Sequence, residues 1–172
     1  PGGFLVSNQT EILLKLDLFQ PSGSSKVRGA LNAMLSLDPE TRKRGVIASS
    51  AGNHGLGLAY SSAQLGTPAT VVLPESAAPK RAELIRRFGA TVIQHGPSRS
   101  VPNWKALEAA KERDLAFISP FDDPAIIAGQ GTIALELLEQ VPDLDVIVCS
   151  VGGGGLISGV ASAIKALRPQ TR

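Results

Sequence analysis

The sequence has little cysteine, little net charge and no long apolar run. Its one cysteine, Cys149, excludes an intrachain disulfide and is compatible with a reducing compartment. Lys and Arg number 17 against 15 Asp and Glu, and so small an excess argues against nucleic acid as a partner. No stretch approaches the roughly 18 to 20 apolar residues of a membrane span, and no signal pattern begins the chain. We therefore expect a cytoplasmic protein that binds neither nucleic acid nor membrane.

The chain does contain enough apolar residues to form a folded core. Of its 172 residues, 43% are apolar and 19% are charged, as in a globular protein of one ordinary domain or two small lobes. Cys149 falls within an apolar run and is expected to be a buried structural thiol. The two histidines, His54 and His95, are distant in the sequence, so a metal site has little support.

Short β-rich runs alternate with helical patterns along the chain. This order favours right-handed βαβ units and an α/β fold of parallel sheets flanked by helices, with functional loops at the carboxyl ends of strands. The predicted strands are residues 13–17, 45–48, 70–73, 91–94, 116–119 and 146–149. The predicted helices are residues 26–37, 53–65, 78–88, 103–113, 126–140 and 155–167.

The chain is predicted to divide between two lobes. Residues 45–119 hold four of the strands with helices between them and are expected to form a small lobe. Residues 1–44 are assigned to the N-terminal part of a large lobe, and residues 120–172 return to that lobe with a glycine-rich loop. Three strand-to-helix loops then hold the candidate functional residues.

Lys26 follows a polar turn of small residues, 22–25, at the predicted start of a helix. A lysine in such a place is ordinarily a solvated surface residue. A cation in the first turn of a helix opposes the helix dipole, however, and in a partly dry cleft its pKa is lowered toward the neutral, nucleophilic amine. Such an amine can form an imine with a carbonyl compound. Lys26 is therefore a candidate catalytic residue.

A run of four glycines separates a predicted strand from a predicted helix. Without Cβ atoms, the consecutive N–H groups can converge on one anion at the positive end of the helix, and phosphate is the natural ligand. The alternatives are a dinucleotide-binding turn and a plain tight turn. The run lacks the G-x-G-x-x-G spacing, and no Lys-Ser or Lys-Thr pair follows it, which weakens both nucleotide interpretations. The candidate phosphate-binding residues are Gly152, Gly153, Gly154, Gly155 and Leu156.

A third loop, S-A-G-N-H-G at residues 50–55, follows another predicted strand. Asn53 can donate an amide hydrogen bond to a phenolate, and the Ser50 hydroxyl with the N–H groups of the helix start can bind a carboxylate. The alternative is an ordinary Asn or Ser helix cap. His54 is a candidate general base, but with no second histidine nearby a hydrogen-bonding or packing role is favoured.

Together and in this order, the three loops resemble those of the fold-type II pyridoxal-phosphate enzymes. The similarity is to the threonine/serine dehydratase (threonine ammonia-lyase) branch, which also contains serine racemases. The family pattern S-F-K-x-R-G-A is matched by residues 24–30 except at its Phe, where this chain has Ser25. The S-A-G-N-H and G-G-G-G-L loops match in full, and P-F-D-D-P at 120–124 and A-G-Q-G-T at 128–132 are typical of the branch. The resemblance extends over nearly the whole chain from residue 13 onward.

The resemblance implies a tryptophan synthase beta-like architecture and the cofactor pyridoxal 5'-phosphate. Lys26 would hold the cofactor as an internal aldimine and then act as the base at the substrate Cα. Asn53 would bond the 3′ oxygen of the cofactor, and residues 152–156 would cradle its phosphate. The substrate carboxylate would be received by Ser50, Ala51, Gly52, Asn53 and His54.

The resemblance also implies a reaction, the β-elimination of threonine or serine to a 2-oxo acid and ammonia. Cysteine-synthase relatives usually carry T-S-G-N-T and G-T-G-G-T, so His54 and the unbroken glycine run favour the dehydratases. Serine racemases place a Ser, the acid for the opposite face of Cα, where this chain has Ala51. Without that hydroxyl, elimination is expected over racemisation.

The chain departs from the family in length. Family members are much longer, and the Ser or Thr that meets the pyridine nitrogen lies in a C-terminal half that these residues do not include. The large lobe is therefore expected to be incomplete, with an exposed sheet edge and apolar face. We expect either a missing C-terminal segment or a homo-oligomer, and the first residue, Pro1, indicates a missing N-terminus. The alternative to an enzyme is a non-catalytic remnant or binding module that kept the loops.

Overall fold

A four-stranded parallel sheet forms the centre of the structure, a computed structural model that describes residues 10–96 and 103–172. Its order is β3-β2-β1-β4. Neighbouring strands all run parallel, and Val46 of β1 lies opposite Ala69 of β2 on one side and Ala116 of β4 on the other. This pairing confirms the predicted parallel α/β fold. The strands are β1 (Val46–Ser49), β2 (Ala69–Leu73), β3 (Thr91–Gln94) and β4 (Ala116–Phe117).

Helices connect the strands, as parallel pairing requires. In the described residues they are α1 (Lys26–Ser36), α2 (Pro39–Arg44), α3 (Asn53–Leu65), α4 (Pro79–Arg87), α5 (Asn103–Arg113), α6 (Pro124–Gln140) and α7 (Gly155–Leu167). A short 3-10 turn, Asp17–Phe19, precedes α1. Across the described ranges, no helix combines the length and the apolar character that crossing a bilayer demands.

The sheet is covered by helices on both faces, and β1 shows why. Successive strand residues point to opposite faces. Val46 and Ala48 join a core with residues of α1, α3 and α4, whereas Ile47 packs with alanines of α5. Every residue of β1 is buried as a result. The carboxyl end of this central strand is therefore a fixed platform for the loop that begins at Ser50.

A second helical layer is formed by α6 and α7. Ile133 and Ala134 of α6 pack against Val160 and Ile164 of α7 in a separate apolar cluster. The other side of α6 contacts α1. Because α6 packs against both α1 and α7, it fixes the positions of these two helices relative to each other.

An ionic cluster around Arg28 ties three parts of the chain together. The guanidinium of Arg28 donates to both carboxylate oxygens of Asp17 at 2.8 and 2.9 Å and to both of Glu136 at 2.5 and 2.9 Å. It also donates to the Thr132 hydroxyl at 3.1 Å. Bidentate pairs of this kind fix orientation as well as distance. The cluster therefore joins the segment before α1, the first turns of α1, and α6.

Two of the predicted strands are wrong. Residues 13–16 have no regular structure, Asp17 begins the 3-10 turn, and residues 146–149 form no strand. Ile147 donates its N–H to the carbonyl of Arg172 at 2.7 Å, and Arg172 donates its own N–H to the carbonyl of Asp145 at 2.8 Å, so the segment is paired with a single residue and not with a strand. A strand exists only where a neighbour supplies hydrogen bonds. No strand lies beside either segment in the part of the chain that the structure describes.

The same segment overturns the prediction for Cys149. Its thiol is only partly covered, because residues 146–149 are not held inside a sheet.

The structure also contains a short helix that the sequence prediction lacks, α2. Its N-cap Asp38 accepts a hydrogen bond from the Thr41 N–H at 2.9 Å, and Pro39 follows at the first helical position. That Asp-Pro start is a standard local signal for a helix.

Candidate active site

One cleft of about 240 Å³ brings together residues from four separate parts of the sequence: 24–26, 53, 121–130 and 150–157. From the predicted set it contains Lys26, Asn53, the glycines 152–155 and Leu156. Four other predicted residues do not line it: Ser50, Ala51, Gly52 and His54. Six further residues line the cleft, and the sequence analysis gave none of them a role: Ser24, Ser25, Phe121, Gln130, Ser150 and Ile157.

Lys26 is the first residue of α1 and reaches across the cleft. Its Nζ donates to the carbonyl oxygen of Pro120 at 2.8 Å. Burial lowers the pKa of this amine from its ordinary value, because a partly desolvated site disfavours the charged form. The result is an amine with a fixed direction and an increased neutral fraction, which is what nucleophilic attack on a carbonyl requires.

The backbone of Lys26 is set by a close contact with α3. A Cβ added at Gly57 would lie 3.0 Å from both the carbonyl carbon of Lys26 and the N of Val27. A side chain at this position would push the two helices apart. Gly57 lies one turn after Asn53 on α3, so the same contact brings Asn53 and Lys26 to one cleft.

The glycine loop turns sharply into α7. Gly154 has φ +91°, a left-handed conformation that favours glycine, and it caps α7 without a side-chain hydrogen bond. The ring of Phe121 lies directly against Gly153, where an added Cβ would fall 2.4 Å from two ring atoms. The first N–H groups of α7 are therefore left without a side-chain cap at the cleft, and they form the positive end of a helix.

The loop before α3 presents backbone more than side chains. The Ser50 hydroxyl accepts from the N–H of Gly52 at 3.1 Å, so it is engaged within its own loop. Asn53 is exposed, and its Oδ1 accepts from Arg81 at 3.4 Å. Asn53 also borders a second, more open cleft of about 470 Å³ that Lys80 and Arg81 line from the start of α4. Asn53 thus stands between the two cavities.

His54 points away from the cleft. Its side chain is 3% exposed, and Nε2 lies 3.1 Å from the carbonyl oxygen of Ile118. Burial, and to a smaller extent the positive charge of Lys26, lowers the pKa of His54 to about 4, although the bond to Ile118 acts in the opposite direction. The ring is therefore neutral at ordinary pH. Any contact of this residue with a substrate carboxylate would have to come from its backbone.

The whole described chain resembles one family of known proteins. A family model described as "Pyridoxal-phosphate dependent enzyme" matches residues 5–172. The chain belongs to this family. Its cofactor is pyridoxal phosphate, as the loops predicted.

Relatives within the pyridoxal-phosphate dependent family point to one branch. The chain is 46% identical over 162 residues to an L-threonine ammonia-lyase of Thermotoga maritima, covering 94% of the chain and 40% of that relative. The structure of threonine deaminase isoform 2 from Solanum lycopersicum matches with a TM-score of 0.88 and 39% identity, covering 92% of the chain and 46% of the other. Serine racemase from Dictyostelium discoideum matches with a TM-score of 0.88 and 40% identity, covering 94% and 53%. The chain spans less than half the length of the curated relatives it matches.

The cleft fits pyridoxal phosphate. An anionic tail suits the uncapped N-terminus of α7 beside the glycines 152–155, and an aldehyde suits the buried amine of Lys26. Gln130 adds a third observation. It is 2% exposed, and its Oε1 has no hydrogen-bond partner among the described residues. The wall of the cleft therefore retains hydrogen-bonding capacity that a bound ligand can use.

Gln130 and Phe121 are two of the six cleft residues that sequence reasoning missed. Both fall in motifs that carried the family resemblance, but neither was given a role. A glutamine on the apolar side of a helix was the available signal for Gln130, since a buried amide needs a partner. Phe121 gave no such signal, because its contact with Gly153 joins positions 32 residues apart in the sequence.

Proposed function

We propose that the complete protein removes water from threonine or serine and releases a 2-oxo acid and ammonia. The observation that carries the proposal is the common cleft of Lys26 and the glycines 152–155, in which a reactive amine lies beside an anion site. Relatives named threonine dehydratase and L-threonine ammonia-lyase, at 45% and 46% identity, make threonine the first substrate to test.

Lys26 has two tasks in this proposal. Bound pyridoxal phosphate supplies an electron-accepting ring that stabilises negative charge at the substrate Cα. Lys26 Nζ binds the cofactor in the resting enzyme and, once the substrate amine has replaced it, takes the proton from Cα. Its pKa, lowered by burial, favours the unprotonated amine that both tasks need. Lys26 takes the Cα proton, and the Cβ hydroxyl takes up a proton and leaves as water. The enamine is released when Lys26 Nζ binds the cofactor again, and water then hydrolyses the enamine to the oxo acid and ammonia.

The remaining residues hold ligands in place. The N–H groups of Gly152, Gly153, Gly154, Gly155 and Leu156 bind the phosphate, and the Asn53 amide donates to the ring oxygen. Ser50, Ala51, Gly52, Asn53 and His54 receive the substrate carboxylate through their backbone and through the Ser50 hydroxyl, which accepts from the Gly52 N–H and can still donate its own hydrogen. The His54 ring does not take part, because it is bonded to Ile118. Ala51 offers no hydroxyl to return a proton to the opposite face of Cα, which favours elimination over racemisation.

The lobe division at residues 45 and 119, the cytoplasmic location and the self-association predicted from the sequence stay predictions. All four described strands, from Val46 to Phe117, fall inside the proposed small lobe, which supports the division. The exposed side chains of Val148 and Val151 support the idea that a further segment or a second copy covers this part of the molecule.

The first test locates the cofactor. Pyridoxal phosphate is added to the complete protein, the absorbance band at the violet edge of the visible is recorded, and the adduct is reduced with borohydride and mapped by mass spectrometry. The added mass is expected on Lys26. Lys26→Ala should lose the band and the adduct, because among the described residues no other amine lines the cleft. Lys111→Ala, at an exposed lysine of α5, should keep both.

Turnover is then measured as release of oxo acid from threonine and from serine. The protein is an ammonia-lyase if the native protein releases oxo acid from either substrate and Lys26→Ala releases none. Cofactor binding at Lys26 without turnover of either substrate would support a binding module instead. An adduct on another lysine would contradict the assignment of Lys26.

A further inference from the structure

His54 is a buried titratable residue that the proposed chemistry does not use. It is the second residue of α3, directly after Asn53, yet its ring lies outside the cleft. The carbonyl oxygen of Ile118 can only accept, so the ring donates from Nε2 at 3.1 Å. Nδ1 is then a buried acceptor, and it has no hydrogen-bond partner in the described residues. The imidazole is thus kept at this position by one directed bond.

The hydrogen bond from His54 is made to the segment, residues 118–120, whose last carbonyl accepts from the Lys26 amine. Ile118 follows β4 directly, and its N–H donates to Ile47 of β1 at 2.9 Å. Its carbonyl takes the bond from His54, so both polar groups of this backbone unit are engaged. Two residues later, the carbonyl of Pro120 accepts from Lys26 Nζ at 2.8 Å. The chain of contacts therefore runs from His54 through residues 118–120 to the amine.

We propose that His54 is a positioning residue that fixes residues 118–120 and thereby the carbonyl that orients the Lys26 amine. The inference rests on the proposed function only in taking Lys26 as the reactive amine. It also explains how α3 is placed, because α3 begins without a side-chain cap and its first turn is tied to β4 through this ring. Asn53 precedes His54 on α3, and Lys26 begins α1. Both helix starts are therefore positioned by contacts with the segment that follows β4.

Histidine suits this task because it offers a donor that carries no charge here. With a pKa of about 4, the ring stays neutral through the ordinary pH range and adds no positive charge beside Lys26. Without the ring, the buried carbonyl of Ile118 would have no partner among the residues that the structure describes, and an unsatisfied buried acceptor costs about 1–3 kcal/mol. The segment 118–120 would then move toward water, and Lys26 would lose its acceptor and part of its burial.

The test measures the pKa of the Lys26 amine in the complete protein without cofactor. Trace acetic anhydride labels amines in proportion to their neutral fraction, and mass spectrometry gives the labelling of Lys26 at a series of pH values. In His54→Leu, the midpoint of this profile is expected to rise by about one pH unit, because the amine regains solvent and its pKa moves back toward the ordinary value. At a fixed pH below the midpoint, that is about a tenfold loss of neutral amine.

Three variants separate positioning from simple destabilisation. His54→Gln can carry its amide N–H to the place of Nε2 and should keep the midpoint within about 0.3 pH unit. His54→Asn is too short to reach Ile118 and should behave as His54→Leu, which keeps the test open if the leucine variant fails to fold. Leu58→Val trims the fully buried residue one turn later on α3 and should lower stability without moving the midpoint.

The outcomes are distinct from those for the proposed function. An unchanged midpoint in both His54→Leu and His54→Asn would overturn the positioning role, as would an equal shift in Leu58→Val. The labelling uses no cofactor, so a failure of pyridoxal phosphate to bind Lys26 would remove the proposed function and leave this measurement intact. Rescue by glutamine together with a raised midpoint in leucine or asparagine supports the inference.

Discussion

Lys26 places a cation at the first position of α1, where the helix dipole disfavours positive charge and no acidic residue offsets it in the first turn. Its Nζ is instead held by one neutral carbonyl, that of Pro120, and burial lowers its pKa. A solvated surface lysine would have neither feature. At this scale, the contacts favour a chemical role over the ordinary role of a lysine at a helix start.

Glu136 allows a prediction about acid stability. Hydrogen bonding from Arg28 lowers its pKa from 4.5 to about 2. A depressed carboxyl pKa contributes stability that is complete above the unfolded value and is lost as the pH falls from about 4.5 toward 2. In Glu136→Gln, the free energy of unfolding should therefore fall less between pH 6 and pH 3 than in the native protein. The difference should be about 0.5–1 kcal/mol, because the side chain is 38% exposed and solvent screens the pair.

Urea unfolding of the complete protein at the two pH values measures this difference. Glu139→Gln, an exposed position on the same helix, removes the same charge away from Arg28 and should leave the pH dependence as in the native protein. Equal pH dependence in native protein and Glu136→Gln would mean that the Arg28 cluster does not persist in solution.

At the scale of elements, the turn into α7 makes a sharp prediction from two neighbouring glycines. An added Cβ at Gly153 would lie 2.4 Å from the ring of Phe121, whereas at Gly152 nothing lies within 4 Å. Neither position has a φ that a side chain disfavours. Gly153→Ala should therefore displace the loop and raise the dissociation constant of pyridoxal phosphate by about tenfold or more, since about 1.4 kcal/mol of lost phosphate binding has that effect.

The matched variant is Gly152→Ala, which should bind within about twofold of the native protein. Affinity is read by titrating the complete protein with pyridoxal phosphate and following the absorbance band. Phe121→Ala combined with Gly153→Ala should restore part of the affinity, because the small side chain removes the clash. Equal losses in the two single glycine variants would contradict the proposed contact.

The helices were predicted closely because their limits are local. The bounds of α3, α5 and α7 agree with the sequence prediction to the residue. Gly66 ends α3 in a left-handed conformation, and the glycine run starts α7, so the determining residues are next to the element they limit. Strands β1 to β4 were also found, although β4 is two residues shorter than predicted.

What the sequence did not reveal depends on distant contacts. Residues 146–149 have the composition of a strand, but no neighbouring strand pairs with them in the described ranges, and a segment's own sequence does not determine whether such a partner exists. The bond from His54 to Ile118 joins residues 64 apart, and the burial of Gln130 is set by its packing against Gly29 and Gly159 of two other helices. Composition predicted which loops matter, and the packing decides which side chains of those loops reach the cleft.

At the scale of the whole molecule, large apolar side chains remain exposed in the segments around α6 and α7. The strongest case is Val148, which is 95% exposed, and Val151, three residues later and before α7, is 71% exposed. Scattered apolar residues are normal on a surface, but two mostly exposed valines within four residues indicate a face that is covered in the complete protein. The chain spans less than half of its curated relatives, so further sequence of the protein or a second copy is expected over this face.

Val148→Asp tests this expectation in the complete protein. If the face is covered, the substitution buries a charge and should lower the free energy of unfolding by more than about 2 kcal/mol in urea unfolding. Leu107→Asp, at a 49% exposed position on α5, should change it by no more than about 0.5 kcal/mol. If the destabilisation increases on dilution and the sedimentation coefficient falls, a second copy of the chain covers Val148. If the destabilisation does not depend on protein concentration, another segment of the same chain covers it. Equal small effects in both variants would mean that Val148 is exposed in the protein, because an uncovered valine tolerates a carboxylate at little cost.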